Sequence, residues 1–267
     1  MSEHDRGQLT ATAAEIYEEF FVPALFAGWP ARILQAAGVQ AGDDVLDVAC
    51  GTGVLAREAA NIVGSGGSVV GVDINEGMLS VARQKAPDLT WKAGPAESLP
   101  FEANSFDRVV SQFGLMFFEN PVKAIAEMDR VRRPGGTITV AVWASLEATP
   151  GYAAMVEILD ELFGPEAARS IQMPYALGDT QKLAGLFRDA GLDDMIIHTV
   201  EGKARFDSLE TWMYTDIKGW TLADIIDDEG YERLRQYAPR KLSRFVLADG
   251  SVEFDAPAHV VTVGEFV

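Results

Sequence analysis

The feature that most limits what this chain can fold into is the run from Asp44 to Gly53, D-V-L-D-V-A-C-G-T-G. Its apolar part, Asp44–Ala49, ends abruptly at a glycine pair, the pattern of a buried strand entering a turn. Leu55, Ala59, Ile62 and Val63 then recur at helical spacing, and Gly64 stands where that helix should stop. Gly51 and Gly53 permit positive φ and carry no Cβ, so a ligand can approach the backbone closely. The free N–H groups of the helix start lie beside them. Twenty residues beyond Gly53 a second apolar segment ends in Asp73, where a carboxylate can accept hydrogen bonds from a ribose diol.

The strand–helix alternation continues. Ser68–Val72 reads as a strand, followed by a helix over Glu76–Gln84 with Asn75 as its N-cap. Leu89–Lys92 and Phe106–Phe113 read as further strands. Asn120-Pro121 starts a helix, with Val122, Ile125, Met128 and Val131 on one face, which Pro134-Gly135-Gly136 is expected to end. Thr137–Trp143 is another strand. Such alternation predicts an α/β fold with parallel strands and both sheet faces covered. Before it, Thr10–Ala37 reads as two helices broken at Pro23. Beyond it, Asp179–Ala190 is expected to be helical and Met195–Val200 extended. Residues 207–250 form a mostly helical insertion carrying Trp212, Tyr214 and Trp220. The valine-rich end, 258–267, arrives without a crossover helix, so its strand is expected to run antiparallel at or near a sheet edge. The organisation read from this is one domain over residues 1–267. It comprises a helical cap over 1–40, a cofactor-binding core over 41–145 and the insertion at 207–250.

Charge narrows the partners. With 22 Lys+Arg against 40 Asp+Glu the formal net charge is −18, a field that repels nucleic acid and anionic membranes. The basic stretches Arg130–Arg133 and Arg240–Arg244 are not interleaved with aromatics, so no nucleic-acid partner is expected. No apolar run is long enough for a membrane span. The polar N-terminus lacks a secretory pattern, and the single cysteine, Cys50, fits a reducing cytoplasm. No metal site is read.

Gly51-Thr-Gly-Val-Leu-Ala56 also matches a dinucleotide fingerprint, which keeps an NAD-dependent oxidoreductase as an alternative. Asp47 separates the two: it opposes a pyrophosphate but suits a ligand carrying sulfonium and ammonium charges. At this point V-L-D-V-A-C-G-T-G (Val45–Gly53) resembles the first motif of class I S-adenosylmethionine-dependent methyltransferases. V-V-G-V-D-I-N-E-G-M-L (Val69–Leu79) resembles the second. A-G-P-A-E-S-L-P-F (Ala93–Phe101) with S-F-D-R-V-V-S-Q-F-G (Ser105–Gly114) resembles the third and fourth. R-V-R-R-P-G-G (Arg130–Gly136) is similar to the turn into that family's fifth strand. The flavour is that of the small-molecule branch of the ubiquinone/menaquinone-biosynthesis type.

The resemblance implies a Rossmann-like, doubly wound, mostly parallel seven-stranded sheet and S-adenosylmethionine as cofactor, leaving S-adenosylhomocysteine. It implies that Asp47 and the backbone of Ala49, Cys50, Gly51, Thr52 and Gly53 hold the methionine part. Asp73 would take the ribose, Ile74 and Met78 would flank the adenine, and Ala96 and Glu97 would meet its edge. Gln112 and Phe113 would lie beside the transferred methyl. Pro95 stands where many relatives carry Asp, and it has no N–H to offer.

The acceptor is expected above the carboxyl ends of the strands. Tyr17, Phe21, Phe117, Trp143, Trp212 and Tyr214 are the candidates to contact it, which would make it apolar or aromatic. No general base is read: His198 and His259 fit structural or surface roles, and His4 falls in the tail. A non-catalytic protein that keeps the cofactor site is the other alternative. The chain is expected to act as a monomer or homodimer.

Overall fold

In a computed structural model, the structure describes residues 11–218, 222 and 225–264. Thr10, His4, Trp220 and residues 265–267 lie outside the described residues. Seven strands form the main sheet: β1 (Asp44–Val48), β2 (Ser68–Asp73), β3 (Thr90–Ala93), β4 (Phe106–Gln112), β5 (Arg132–Trp143), β6 (Met195–Val200) and β9 (Ala258–Val263). Their order is β3-β2-β1-β4-β5-β9-β6. The first five run parallel, whereas β9 pairs antiparallel with both β5 and β6. The last strand is therefore antiparallel and sits one place in from the edge.

Crossover helices follow the strands in turn: α3 (Val54–Val63), α4 (Glu76–Lys85) and α5 (Pro121–Val131). Strand order reverses direction between β1 and β4, so right-handed crossovers put α3 and α4 on one face and α5 on the other. α2 (Pro30–Ala37) packs beside α3, and α8 (Thr180–Asp189) beside α5. Both faces are thus covered, and Val45, Leu46, Val109, Val110, Ile138 and Val140 are fully buried between the layers. The N-caps read from sequence form: Asn75 Oδ1 accepts from the Met78 N–H at 3.0 Å, and Asn120 Oδ1 from Lys123 at 3.0 Å.

Two expectations are corrected. Pro23 does not break the first segment. The chain stays helical from α1 (Ala11–Ile16) through a π-helix, Tyr17–Phe26, which contains Pro23. A proline ring crowds the carbonyl one turn earlier, and the wider π turn relieves that crowding. The break falls at 27–29, where Pro30 begins α2 at its first position. Likewise α5 ends at Val131, before Pro134-Gly135-Gly136. Those three residues lie inside β5, where pairing with β4 shifts from Phe106↔Arg132 to Arg108↔Thr137. The excess residues bulge, and Gly135 takes φ 79° there.

The remainder forms a cap over the carboxyl ends of the strands. It holds α6 (Pro150–Phe163), α7 (Pro165–Gln172) and a 3-10 turn at Met173–Tyr175. It also holds α9 (Leu209–Lys218), α10 (Asp228–Tyr237) and α11 (Pro239–Leu242). A two-stranded antiparallel sheet, β7 (Lys203–Phe206) with β8 (Val252–Asp255), brackets the expected helical insertion. No helix among the described residues is long and apolar enough to cross a membrane.

Candidate active site

The sheet opens a cleft where neighbouring strands send their connections to opposite faces, here between β1 and β4. At that point the loop after β1 is pinned to the end of β2. The Cys50 N–H donates to the Val72 carbonyl at 3.0 Å, and the Gly51 N–H to Asp73 Oδ2 at 2.8 Å. Asp73 Oδ1 accepts from the Asn75 N–H at 2.8 Å. Each oxygen retains a further acceptor site, so Asp73 can orient the loop and still receive two hydroxyls. Burial raises its pKa, against the lowering by those amide donors.

Asp47 is fully buried at the core of β1. Its Oδ2 caps the Ala56 N–H at 3.0 Å, while Oδ1 has no hydrogen-bond partner. Burial, and then the charge of Asp73, hold its pKa well above the carboxylate range. A cationic ligand nearby would restore its charge. Thr52 Oγ1, Ser111 Oγ and Gln112 Oε1 are also buried without partners. Unpartnered buried polar atoms are rare in finished structures, and four of them surround this one loop. Of the four residues Gln112 faces the cavity over the loop, and the buried Asp47 acid behind the loop favours a positively charged group such as the methionine part of S-adenosylmethionine.

A cavity of about 190 Å³ lies over the loop. Ala49, Gly51, Asp73, Ile74, Met78, Ala96, Glu97, Gln112 and Phe113 line it, as do Tyr17, Phe117 and Trp143. Twelve of the residues singled out from sequence therefore meet in one place. Asp47, Cys50, Thr52 and Gly53 lie behind the wall instead. Gly53 has φ 86°, and a Cβ on it would sit 2.4 Å from the Trp91 ring, so its smallness serves packing as well as the turn. Burial drives the Cys50 thiol pKa far up, which leaves it inert as a nucleophile.

Three acceptor candidates do not reach the cavity. Phe21 is buried in the core. Tyr214 packs edge-on against Phe20 at 5.7 Å. Trp212 is fully buried among Phe206, Tyr152 and Phe254. Sequence reasoning missed Phe26, Pro174 and Glu119 in the wall. Phe26 follows Phe20 and Phe21 in an all-apolar stretch, and only the π winding selects which ring turns inward. Phe113 stacks on Trp143 at 3.8 Å and 10° between planes, and Phe26 leans on both rings. Tyr17 stacks on Phe26 at 5.2 Å. Its hydroxyl is pushed far up by burial and then by Asp73, so it stays protonated.

The π-helix is tied to the cofactor loop. Arg57 donates to the Thr52 carbonyl at 2.9 Å and to Glu18 Oε1 at 2.9 Å. His259 is committed to structure, bonded to Thr199 Oγ1 at 2.9 Å and the Gly178 carbonyl at 3.0 Å. His198 lies exposed on the edge strand β6.

A nucleoside cleft at a strand-order switch, with a buried acid in the strand just before the loop, defines an α/β enzyme that uses a positively charged nucleoside cofactor. The comparisons name the family. Residues 46–140 match the family described as methyltransferase domain. The demethylmenaquinone methyltransferase of Renibacterium salmoninarum is 35% identical over 184 residues, 65% of this chain and 76% of that protein. The ubiquinone/menaquinone biosynthesis C-methyltransferase UbiE of Bordetella parapertussis is 36% identical over 200 residues, 68% and 76% of the two. Among solved structures, Haemonchus contortus phosphoethanolamine N-methyltransferase 2 shares the fold. Its TM-score is 0.62 at 22% identity, covering 98% of this chain and 59% of that one. The chain belongs to the class I S-adenosylmethionine-dependent methyltransferases of the UbiE-like family. It is an enzyme that transfers a methyl group from S-adenosylmethionine to a small molecule.

Proposed function

We propose that the acceptor is an uncharged aromatic or apolar molecule of the phenol or quinol type, bound against Phe26, Phe117 and Trp143. The observation that carries this is the composition of the cavity wall. It contains Asp73, Glu97 and Glu119 but no Lys, Arg or His among the described residues, beside six aromatic rings. Such a wall repels a phosphate or carboxylate and offers rings for stacking. The names of the curated relatives, which include demethylmenaquinone and ubiquinone/menaquinone methyltransferases, agree with that chemistry.

The residue roles follow from placement. Asp73 takes the ribose hydroxyls. Ile74, 59% exposed beside it, and the buried Met78 supply apolar faces for the adenine. Ala96 and Glu97 meet its edge. Asp47, with the backbone of Ala49–Gly53, holds the methionine part, and Gln112 and Phe113 flank the reactive centre. The cofactor supplies an already activated methyl group, so the protein's work is alignment and exclusion of water. The stacked Phe113–Trp143 pair sets the plane in which an aromatic acceptor lies. Tyr17, protonated and half-buried, closes the cavity from the π-helix. The charge balance of −18 supports a partner that is not nucleic acid, and with Cys50 the only cysteine a cytoplasmic setting is consistent. We place the protein as a monomer or homodimer there.

The test is a labelled-methyl screen of naphthoquinols, phenols, amines and phosphorylated amines. Turnover confined to uncharged aromatics supports the reading; preference for a phosphorylated amine overturns it. Calorimetry with S-adenosylhomocysteine against NADH separates the oxidoreductase alternative.

A further inference from the structure

Two rings of the cavity wall, Tyr17 and Phe26, stand on the π-helix, outside the sheet and its loops. That helix touches both halves of the site. On the cofactor side, Tyr17 packs against the cluster of Ala13, Ala14, Met78 and Val81, which includes the methionine we assign to the adenine. On the acceptor side, Phe26 leans on Phe113 and Trp143 at 5.6 and 6.0 Å. Its carbonyl accepts from the Gln112 amide at 3.4 Å. A third tie reaches the cofactor loop itself. One nitrogen of the Arg57 guanidinium donates to the Thr52 carbonyl at 2.9 Å, and the other donates to Glu18 Oε1 at 2.9 Å. Glu18 follows Tyr17 directly in the chain. Its side chain is 11% exposed and that of Arg57 26%, so the pair is screened less than one in open water.

Neither helix stability nor charge neutralisation accounts for Arg57. It stands in the opening turn of α3, where the helix dipole opposes a cation. Glu18 already has a second cation at hand, with Lys85 Nζ 3.9 Å from the same oxygen. What Arg57 adds is reach. A guanidinium presents its donors in a planar fork, and this one holds a loop carbonyl and a π-helix carboxylate at once. Neither Arg57 nor Glu18 lines the cavity, so each can act on a ligand there only through other residues.

We propose that Arg57 and Glu18 are positioning residues that couple the two ligand sites. The pair carries the position of the Thr52 carbonyl to Tyr17 and Phe26, so a filled cofactor loop sets the wall against which the acceptor stacks. The proposal rests on the cavity being the acceptor chamber. A cofactor that fixes the loop then tightens acceptor binding, and by linkage the acceptor tightens cofactor binding by the same factor.

The experiment titrates the full chain calorimetrically with 1-naphthol, with and without saturating S-adenosylhomocysteine, in the wild type, Arg57→Lys and Glu18→Ala. Lysine keeps the charge but not the fork, and alanine removes the acceptor oxygen. The wild type should bind naphthol at least about fivefold more tightly when S-adenosylhomocysteine is present, and both variants should reduce that factor to about twofold or less. Naphthol affinity of the cofactor-free chain should not change in either variant. The mirror titration, S-adenosylhomocysteine with and without naphthol, should return the same factors. Coupling that persists in a folded variant overturns the proposal. So does a variant that weakens naphthol equally in both states, the mark of a purely structural pair. Naphthol binding to the wild type without coupling overturns the role of the pair alone. No naphthol binding in either state overturns the acceptor chamber and the pair with it, and failure to bind S-adenosylhomocysteine overturns the cofactor placement and the pair with it. The two substitutions lie on different helices, so a folding failure in one leaves the other decisive.

Discussion

The cofactor loop and the cap are held in place by different physics. Around the loop, position is set by backbone: Asp73 and Val72 each take an N–H from the loop, and the glycines supply the turn. In the cap, position is set by side-chain packing, with Trp212, Tyr152, Phe206 and Phe254 in mutual contact around one buried carboxylate. The lesson is that a backbone-built site survives changes of neighbouring side chains, whereas a packing-built one does not.

Trp212→Ala tests that difference most severely. It should cost about 3–5 kcal/mol of stability, as expected for deleting a fully buried aromatic, while S-adenosylhomocysteine affinity holds; denaturant unfolding and calorimetry measure the two. Parallel loss of both would break the comparison. Asp216, that buried carboxylate, gives a pH signature. Burial raises its folded pKa to about 8, above the value near 4 of an unfolded aspartate. The folded chain therefore holds a proton that the unfolded chain lacks, and stability should fall as pH rises from about 4 to about 8. Tyr152 and Tyr175, the titratable groups facing it, have pKa values raised well above the usual tyrosine range. Tm against pH should be flatter in Asp216→Asn than in the wild type; an identical slope would remove Asp216 as its source.

Asp73→Ala addresses the loop. Cofactor affinity should drop by about 1.5–3 kcal/mol, the range for hydrogen bonds to a charged group, and an unchanged Kd would sink the ribose assignment. The smallest effect is expected from Gly53→Ala. The new methyl meets Trp91 and the positive φ opposes it, so stability should fall by about 1–3 kcal/mol. If unfolding is unaffected, the glycine is there for the ligand alone.

How much of this the sequence shows depends on the same difference. The glycine loop, Asp73, the Asn75 and Asn120 caps and the strand–helix alternation up to β5 are legible because turn and cap chemistry is local. The cap is not, because an apolar ring facing a cavity and one facing a core have the same spacing. Tyr17 and Trp143 line the cavity whereas Trp212 and Phe21 do not, and only the tertiary fold tells them apart. The helices α6 and α7 did leave a signal in Thr149-Pro150 and Gly164-Pro165, each placing proline at a first helical position. Pro23 misleads because a π-helix accommodates what an α-helix would reject.

Two residues of the site, Ala49 and Phe113, hold φ values of 57° and 56°. They directly follow neighbouring strands, β1 and β4, on either side of the cleft. Left-handed backbone at residues other than glycine costs about 1–3 kcal/mol each. A chain under pressure only to endure heat would place glycine at both. Phe113→Gly would lose the ring stacked on Trp143, and Ala49→Gly would leave the loop freer to wander before the ligand arrives. Attempts to make a thermostable variant should therefore find these positions tempting and harmful, trading turnover for a higher Tm.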